Sequence, residues 1–473
     1  MFSVVPDTGQ HKIKTRWVHT RKQANGKVVV KARLVAKGFQ DENSTVRSDS
    51  PTCSKESLRV VLAVIATNGW ECNSLDVKTA FLQGKKLERE VFLDPPKEAE
   101  VLEGKIWKLN KCVYGLSDAS REWYLTVRQE LKHLGGRVSK HDQAIFTWHD
   151  RSRLSGVIAT HVDDFCWAGT KEFQSKVFGS IRKVFRIKSE ESQCFKYLGL
   201  DIAQLGDSLC VRQDNYVKGI EILPLSSPYR EDALMSDADL TLCRSTIGKL
   251  NWVATQTRPD ISFDVSDITS SLKSRQVSCI QSINKTTRKL KKSASQIVIP
   301  NLGNLSETKI VAYCDASFAS ENGTSSQAGY VIFLVGANHK HVPVAWQSQR
   351  VKRVVKSTQA AETLALVDTM EACVFFRSFL LETLQLKDEP HAIPIVCKTD
   401  NKGLYESAYS STQILDKRLR IETAIVREML EQGIVQKLEW IPTSLQLADG
   451  LTKRGVLSSK VLDHFSGSRV ALP

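Results

Sequence analysis

SGVIATHVDDFCWAG, residues 155–169, reads as two β-rich arms that meet at Asp163-Asp164. Short apolar runs on either side of a polar pair mark a hairpin, which sets both carboxylates at its tip. Adjacent anions repel, and an Asp-Asp pair on its own reads first as a solvated acidic turn. The apolar flanks shift that reading, because half-buried carboxylates need a cation to offset their lost hydration. A third acid, Asp76, ends the short apolar strand in NSLDVKTAFLQG, residues 73–84. Magnesium takes oxygen ligands and bridges carboxylates to phosphates, so Asp76 with Asp163 could hold two ions roughly 3.5–4 Å apart. Spacing alone leaves both readings open.

Outward from this pair, strand-like runs alternate with amphipathic helices through the first two hundred residues, an α+β pattern. KVVVKARLVA, Lys27 to Ala36, is a strand; KESLRVVLAVIAT, Lys55 to Thr67, is a helix with Ser54 as N-cap and Leu58, Val61, Leu62 and Ile65 on one face. A Pro-, Ser- and Asp-rich loop at Leu223 to Asp239 leads into a helical, basic stretch ending near Ser293. Past a second boundary at Asn301 to Thr308, the strands KIVAYCD, AGYVIFLVG and VPVAWQSQ form a meander, followed by a long helix from about Ser357. Joints therefore fall near 204 and 306.

The length of 473 residues suggests two to four compact units, and 41% hydrophobic with 25% charged residues describes a chain that folds. Sixty-six Lys plus Arg against 52 Asp plus Glu leave a net charge of +14, which favours a polyanionic partner or serves simply for solubility. Eleven cysteines are scattered without a C-x-x-C pair or zinc spacing, so reduced thiols are expected. With no run of 18 apolar residues and a polar, basic start MFSVVPDTGQHKIKTRW, neither a membrane span nor a signal peptide is expected.

The final third carries four more acids at element ends: Asp315 ending KIVAYCD, Glu362 early in the long helix, Asp400 ending IPIVCKTD, and Asp449 in QLADGLTK. Each alone reads as a surface acid or, for Asp400 and Asp449, a carboxylate at a helix N-terminus. The apolar approach Ile393, Ile395, Val396 places Asp400 where a buried strand emerges.

KARLVAKGFQ at 31, SPTCSKESLRVVLAVIA at 50, LDVKTAFLQG at 75, WKLNKCVYGLSDASREWY at 107, HVDDF at 161, YLGLDI at 197 and RSTIGKLNWVATQTRPDISFDVS at 244 together resemble, in order and spacing, the copia-type retrotransposon reverse transcriptases. The resemblance implies fingers and palm over 1–203, a thumb/connection-like region over 204–305, an α/β ribonuclease H-like domain with a mixed five-stranded sheet over 306–454, and a tail over 455–473. It makes Asp76, Asp163 and Asp164 the polymerase carboxylates, which with two magnesium or manganese ions would activate a primer 3′-hydroxyl and stabilise the pyrophosphate leaving group. Phe81 would lie under the incoming sugar, Lys31 and Arg33 near the triphosphate, and Tyr114 and Gly115 of the YGL motif against template and nucleotide. AYCDASFAS, KSTQAAETLAL, CKTDNKGL and WIPTSLQLADGLTK resemble the family's ribonuclease H, implying that Asp315, Glu362, Asp400 and Asp449 hold two ions that hydrolyse RNA in an RNA-DNA hybrid.

The chain departs from the family in three places. Ser117-Asp118-Ala119-Ser120-Arg121 stands where Lys-Gln-Ala-Pro-Arg is common, so Asp118 would repel a triphosphate it faced. His161 replaces the Tyr before the Asp pair, and ILDKRLRIETAIVRE, from 414, lacks the family's histidine. Basic clusters at Lys285 to Lys292 and at Trp346 to Lys356 are candidates for duplex phosphates, with solvated surface as the plain alternative. The expected partners are an RNA template, a DNA primer, RNA-DNA hybrid and dNTPs, in a cytoplasmic virus-like particle or the nucleus. No capsid, protease or integrase segment precedes Met1, so a processed product or an element fragment is expected. The competing reading is a transposon-derived remnant that binds nucleic acid without polymerising.

Overall fold

A computed structural model describes residues 1–24, 27–42, 46–225, 230–318, 325–389, 391–411, 414–455, 460–467 and 472–473; parts of the expected loop at 223–239 and of the expected tail lie outside them. Two compact units emerge, one of Met1–Cys53, Asn73–Asp150 and Ser155–Glu191, the other of Ser54–Cys72, Arg151–Leu154 and Ser192–Pro473.

The first unit is built on two sheets. A six-stranded sheet runs in the order Ile187–Ser192, Asn73–Val77, Asp164–Gly169, Arg153–His161, Ile145–Asp150, Arg137–Val138. The hairpin read at 155–169 lies inside it: Arg153–His161 pairs antiparallel with Asp164–Gly169, His161 facing Asp164 across the turn at Val162 and Asp163. Val162 takes a φ of 56°, an uncommon conformation for a β-branched residue. The indole N–H of Trp123 donates to its carbonyl at 2.6 Å, so the helix Ala119–His133 helps to hold the turn. That helix buries Trp123, Val127 and Leu131, one face at i, i+4, i+8, in a core with Phe146, Phe165 and Phe178.

The other sheet runs Phe2–Pro6, Lys105–Leu109, Phe92–Asp94, Ile13–Ala24, Lys27–Ala36. Its last two strands form a long hairpin, and Lys27–Ala36 has the bounds read from the sequence. Beyond it the backbone of Gly115 approaches so closely that a Cβ there would sit 2.1 Å from the Ala36 carbonyl oxygen, and its φ is +95°. Glycine at 115 is therefore a requirement of backbone packing.

In the second unit the helix Lys55–Thr67 also has the expected bounds, and the Ser54 hydroxyl caps it by accepting the Ser57 N–H at 3.0 Å. Leu58, Val61, Leu62 and Ile65 are buried, and burial extends past their face to every residue from Ser57 to Thr67, including Arg59. Strands Ser208–Arg212, Gln296–Ile299 and His341–Arg350 pack against it, and no local periodicity reports elements so far along the chain. Arg59 stacks over the Trp346 ring, 3.7 Å from its centroid, and donates to the carbonyls of Thr255, of Gln256 at 3.2 Å and of Val344 at 3.2 Å.

A four-stranded antiparallel sheet follows, in the order Cys194–Tyr197, Leu200–Leu205, Ser208–Arg212, Gln296–Ile299, so a strand runs through the joint expected near 204. The basic, helical stretch comprises Asp237–Gln256, Ser262–Ser271 and Ser278–Lys292. The last sheet is mixed and five-stranded, in the order His341–Arg350, Gln327–Val335, Lys309–Ser317, Ile395–Thr399, Lys437–Trp440; the first three are antiparallel and the last two parallel to their neighbours. The helix Thr358–Leu384, capped by Ser357, packs against it. Two helices, Lys402–Tyr409 and Lys417–Glu431, follow Asp400, and Asp449 opens a single 3-10 turn, Asp449–Leu451, instead of a helix. No described helix is long and apolar enough to cross a membrane.

Candidate active sites

In the first unit, strand register brings the acids together. Asp164 faces Asp76 on the neighbouring strand, and the Val77 N–H donates to the Asp163 carbonyl at 2.9 Å. Burial, reinforced by the charge of Asp76, pushes the Asp163 carboxyl above the usual range. From the edge strand Ile187–Ser192, Lys188 pairs with Asp76, and that contact raises the lysine's own pKa. The three acids line one cavity of about 560 Å³ together with Lys31, Arg33, Tyr114 and Lys188. Cations and carboxylates lining one cavity suit a phosphate-bearing ligand held against a cation site. Phe81 and Gly115 are not among its walls. Phe81 packs edge-on to Tyr114, 4.9 Å between centroids, and Arg33 lies 5.8 Å from the centre of the same ring.

Two of the departures resolve differently. Asp118 is buried outside this cavity, where Arg89 bridges it at 2.8 Å to Asp41 at 2.8 Å. It therefore presents no charge to a ligand in the cavity, which corrects the expected repulsion. His161 is half-buried, burial lowers its pKa, and its Nδ1 has no hydrogen-bond partner.

In the second unit, Asp315 lies within the central strand Lys309–Ser317, which runs two residues past the end read from the sequence, Asp400 follows the parallel strand beside it, and Asp449 sits on the 3-10 turn. Their carboxylate oxygens lie within 4.8 Å of one another, the only such cluster of metal-ligating side chains among the described residues. Glu362, in the second turn of the long helix, accepts the Ala316 N–H at 3.1 Å and so stands beside Asp315. Burial raises Asp315 to about 6 and Glu362 to about 9, each helped by the neighbouring acids. Three converging carboxylates with Glu362 beside them fit a hard divalent cation, which would offset that desolvation.

Lys453 supplies a cation from within the chain. Its Nζ lies 2.6 Å from Asp449 Oδ1 and 3.3 Å from Asp315 Oδ2. The Thr452 hydroxyl donates to Asp315, and the Thr443 hydroxyl donates to Asp400 at 2.7 Å. Sequence reasoning singled out neither lysine. Lys453 was within reach, four residues after Asp449 in the quoted QLADGLTK, whereas Lys188 lies 112 residues from its partner. No histidine stands in Lys417–Glu431.

The basic clusters differ in kind. Lys285, Arg288, Lys291 and Lys292 are exposed on one helix, and Lys289 pairs with Asp264 at 3.1 Å. In the other, Trp346 is corrected to a core residue beneath Arg59, while Arg353 pairs with Glu422 at 2.6 Å.

Known proteins agree with this architecture. The family described as reverse transcriptase (RNA-dependent DNA polymerase) matches residues 1–224. The foamy viral protease-reverse transcriptase solved with double-stranded DNA superposes with a TM-score of 0.52 at 14% identity, covering 93% of this chain and 67% of that one. The fold is thus that of a reverse transcriptase, with a mixed five-stranded sheet after it. A Pol polyprotein from transposon RE1 of Arabidopsis thaliana is 27% identical over 476 residues, 96% of this chain and 31% of the relative. The putative transposon Ty5-1 protein of Saccharomyces cerevisiae is 30% identical over 318 residues, 63% of this chain and 100% of that protein. The chain belongs to the copia-type LTR retrotransposon reverse transcriptases, and it spans about a third of the length of the Pol polyprotein relatives it matches.

Proposed function

We propose that the chain is an RNA-directed and DNA-directed DNA polymerase acting through Asp76, Asp163 and Asp164, and that its 306–454 segment cleaves the RNA of RNA-DNA hybrids through Asp315, Glu362, Asp400 and Asp449. Residues 1–203 would be fingers and palm, 204–305 thumb and connection, 455–473 a tail. The observation that carries the reading is the cavity in which Asp76, Asp163 and Asp164 face Lys31 and Arg33. In it the Arg33 fork and the Lys31 ammonium would hold the triphosphate of a dNTP, while the three carboxylates orient the primer end. Tyr114 would pack on the nucleotide and Phe81 would set the ring's position from behind. Two magnesium or manganese ions would neutralise developing charge and activate the attacking oxygen, that of the primer at the first centre and of water at the second. In the second centre Asp315, Glu362, Asp400 and Asp449 would hold the ions, and all but Asp400 are buried. An RNA template, a DNA primer and their hybrid are the partners this implies, within the cytoplasmic particle or nucleus where an element replicates.

Primer extension on RNA with magnesium tests the first half. Asp163→Asn should lower it by more than the roughly 100-fold seen when only a supporting group is lost. Equal inactivity of both chains, with hybrid binding kept, would leave a nucleic-acid-binding remnant. For the second half, Asp400→Asn should abolish hybrid cleavage; unchanged cleavage would show the assignment to be wrong.

A further inference from the structure

The ammonium of Lys453 reaches the two acids from the loop after the 3-10 turn, and its stem remains partly exposed. The same side chain lines a cavity of about 750 Å³ together with Lys285, Lys289 and Lys292 of the helix Ser278–Lys292 and with Asp260, Asp264 and Asp267, acids paired with Arg258, Lys289 and Arg454. Lys453 thus stands between an acidic centre and a groove whose acids are already paired, with Lys285 and Lys292 exposed at it. A divalent ion held by Asp315 and Asp449 would need oxygen lone pairs that the ammonium now holds. A hydrogen-bonded ammonium and a metal ion cannot occupy the same lone pair, so metal entry displaces Lys453 from those it takes.

We propose that Lys453 is an exchangeable counter-ion, which holds Asp315 and Asp449 together until a divalent ion takes its place and then turns into the adjoining groove to contact a phosphodiester strand. This rests on the ribonuclease H reading of the four acids and adds to it a positioning residue that couples metal loading to grip on the nucleic acid. The four-carbon lysine stem has the freedom to make that turn, and a point-charge ammonium accepts either partner without a fixed fork. Arg454 cannot substitute, because it is already paired with Asp267 of the helix Ser262–Ser271.

The test uses the full chain titrated calorimetrically with manganese in the absence of nucleic acid, as wild type, Lys453→Gln, Lys453→Arg and Asp449→Asn. The heat lost in Asp449→Asn reports this site. Lys453→Gln should bind manganese here roughly tenfold more tightly, since the competing cation is gone, and Lys453→Arg should stay near wild type. Equal or weaker binding by Lys453→Gln overturns the proposal. If Lys453→Gln folds only when manganese is present, the counter-ion role is supported; if it folds in neither buffer, Lys453 is structural and the proposal falls. If wild type and Asp449→Asn titrate alike, no metal binds these acids and the ribonuclease H reading itself fails. A second readout follows binding of a hybrid with a 2′-O-methylated, uncut RNA strand. Manganese should steepen the salt dependence of the wild type by about one phosphate contact and leave that of Lys453→Gln unchanged. A wild-type slope indifferent to manganese would remove the second half of the proposal.

Discussion

Arg89 shows what a single residue settles at the first site. Its guanidinium joins Asp41 and Asp118, side chains about nine-tenths or more buried, and so removes Asp118 from the account of nucleotide binding. Breaking a buried pair by deleting one partner strands the others, so Arg89→Ala should destabilise the chain by about 3–5 kcal/mol in denaturant unfolding. Asp118→Gln, which restores the amide common in the family, should cost less and leave the nucleotide KM unchanged; a large KM shift would return Asp118 to the site. Acids that end strands were legible because an apolar run stopping at Asp is visible in one dimension. The charges that meet acids from far along the chain were not, since Lys188 reaches Asp76, and Arg89 reaches Asp41 and Asp118, only through sheet pairing and tertiary packing.

Elements were read best where local chemistry is self-contained. The strand Lys27–Ala36, the helix Lys55–Thr67 and its Ser54 cap follow from alternation, helical spacing and a side-chain acceptor. What covers each element was hidden, as the burial of that helix on every side shows. A second example is the strand His341–Arg350, whose His341 ring lies 5.4 Å from that of His464, with Phe333 edge-on to both. Burial, then the neighbouring imidazole, lowers His341 to about 4; burial also lowers His464, with Asp463 opposing. A histidine depressed in the folded chain is neutral there while the unfolded chain takes up a proton below about 6.5, so stability falls as pH drops from about 6.5 towards 4. The melting temperature of the wild type should decline across that window, and His341→Phe should flatten the decline. A variant that keeps the full acid sensitivity would exclude this pair as its source.

At the scale of the whole molecule, the two compact units do not follow the order of the chain, because Ser54–Cys72 belongs with residues beyond 192. A fragment ending at residue 203 would therefore carry the helix Lys55–Thr67 without the strands Gln296–Ile299 and His341–Arg350 that cover it. It should bind a hydrophobic dye and lack a cooperative melting transition, whereas the full chain should do neither; a well-folded 1–203 fragment would refute this. The net charge of +14 was legible from composition, but this interleaving was not, for nothing in residues 55–67 names their distant partners. Arg59 also sets a clock on the ribosome. Its guanidinium leaves the exit tunnel 285 residues before the Val344 carbonyl that will receive it, an interval of roughly 15–60 s at about 5–20 residues per second. Through that wait the helix cannot close over a charged, water-bound side chain. A nascent chain with its apolar helix uncovered for that long should give more soluble protein when chaperones are co-expressed, and a yield indifferent to them would count against the delay.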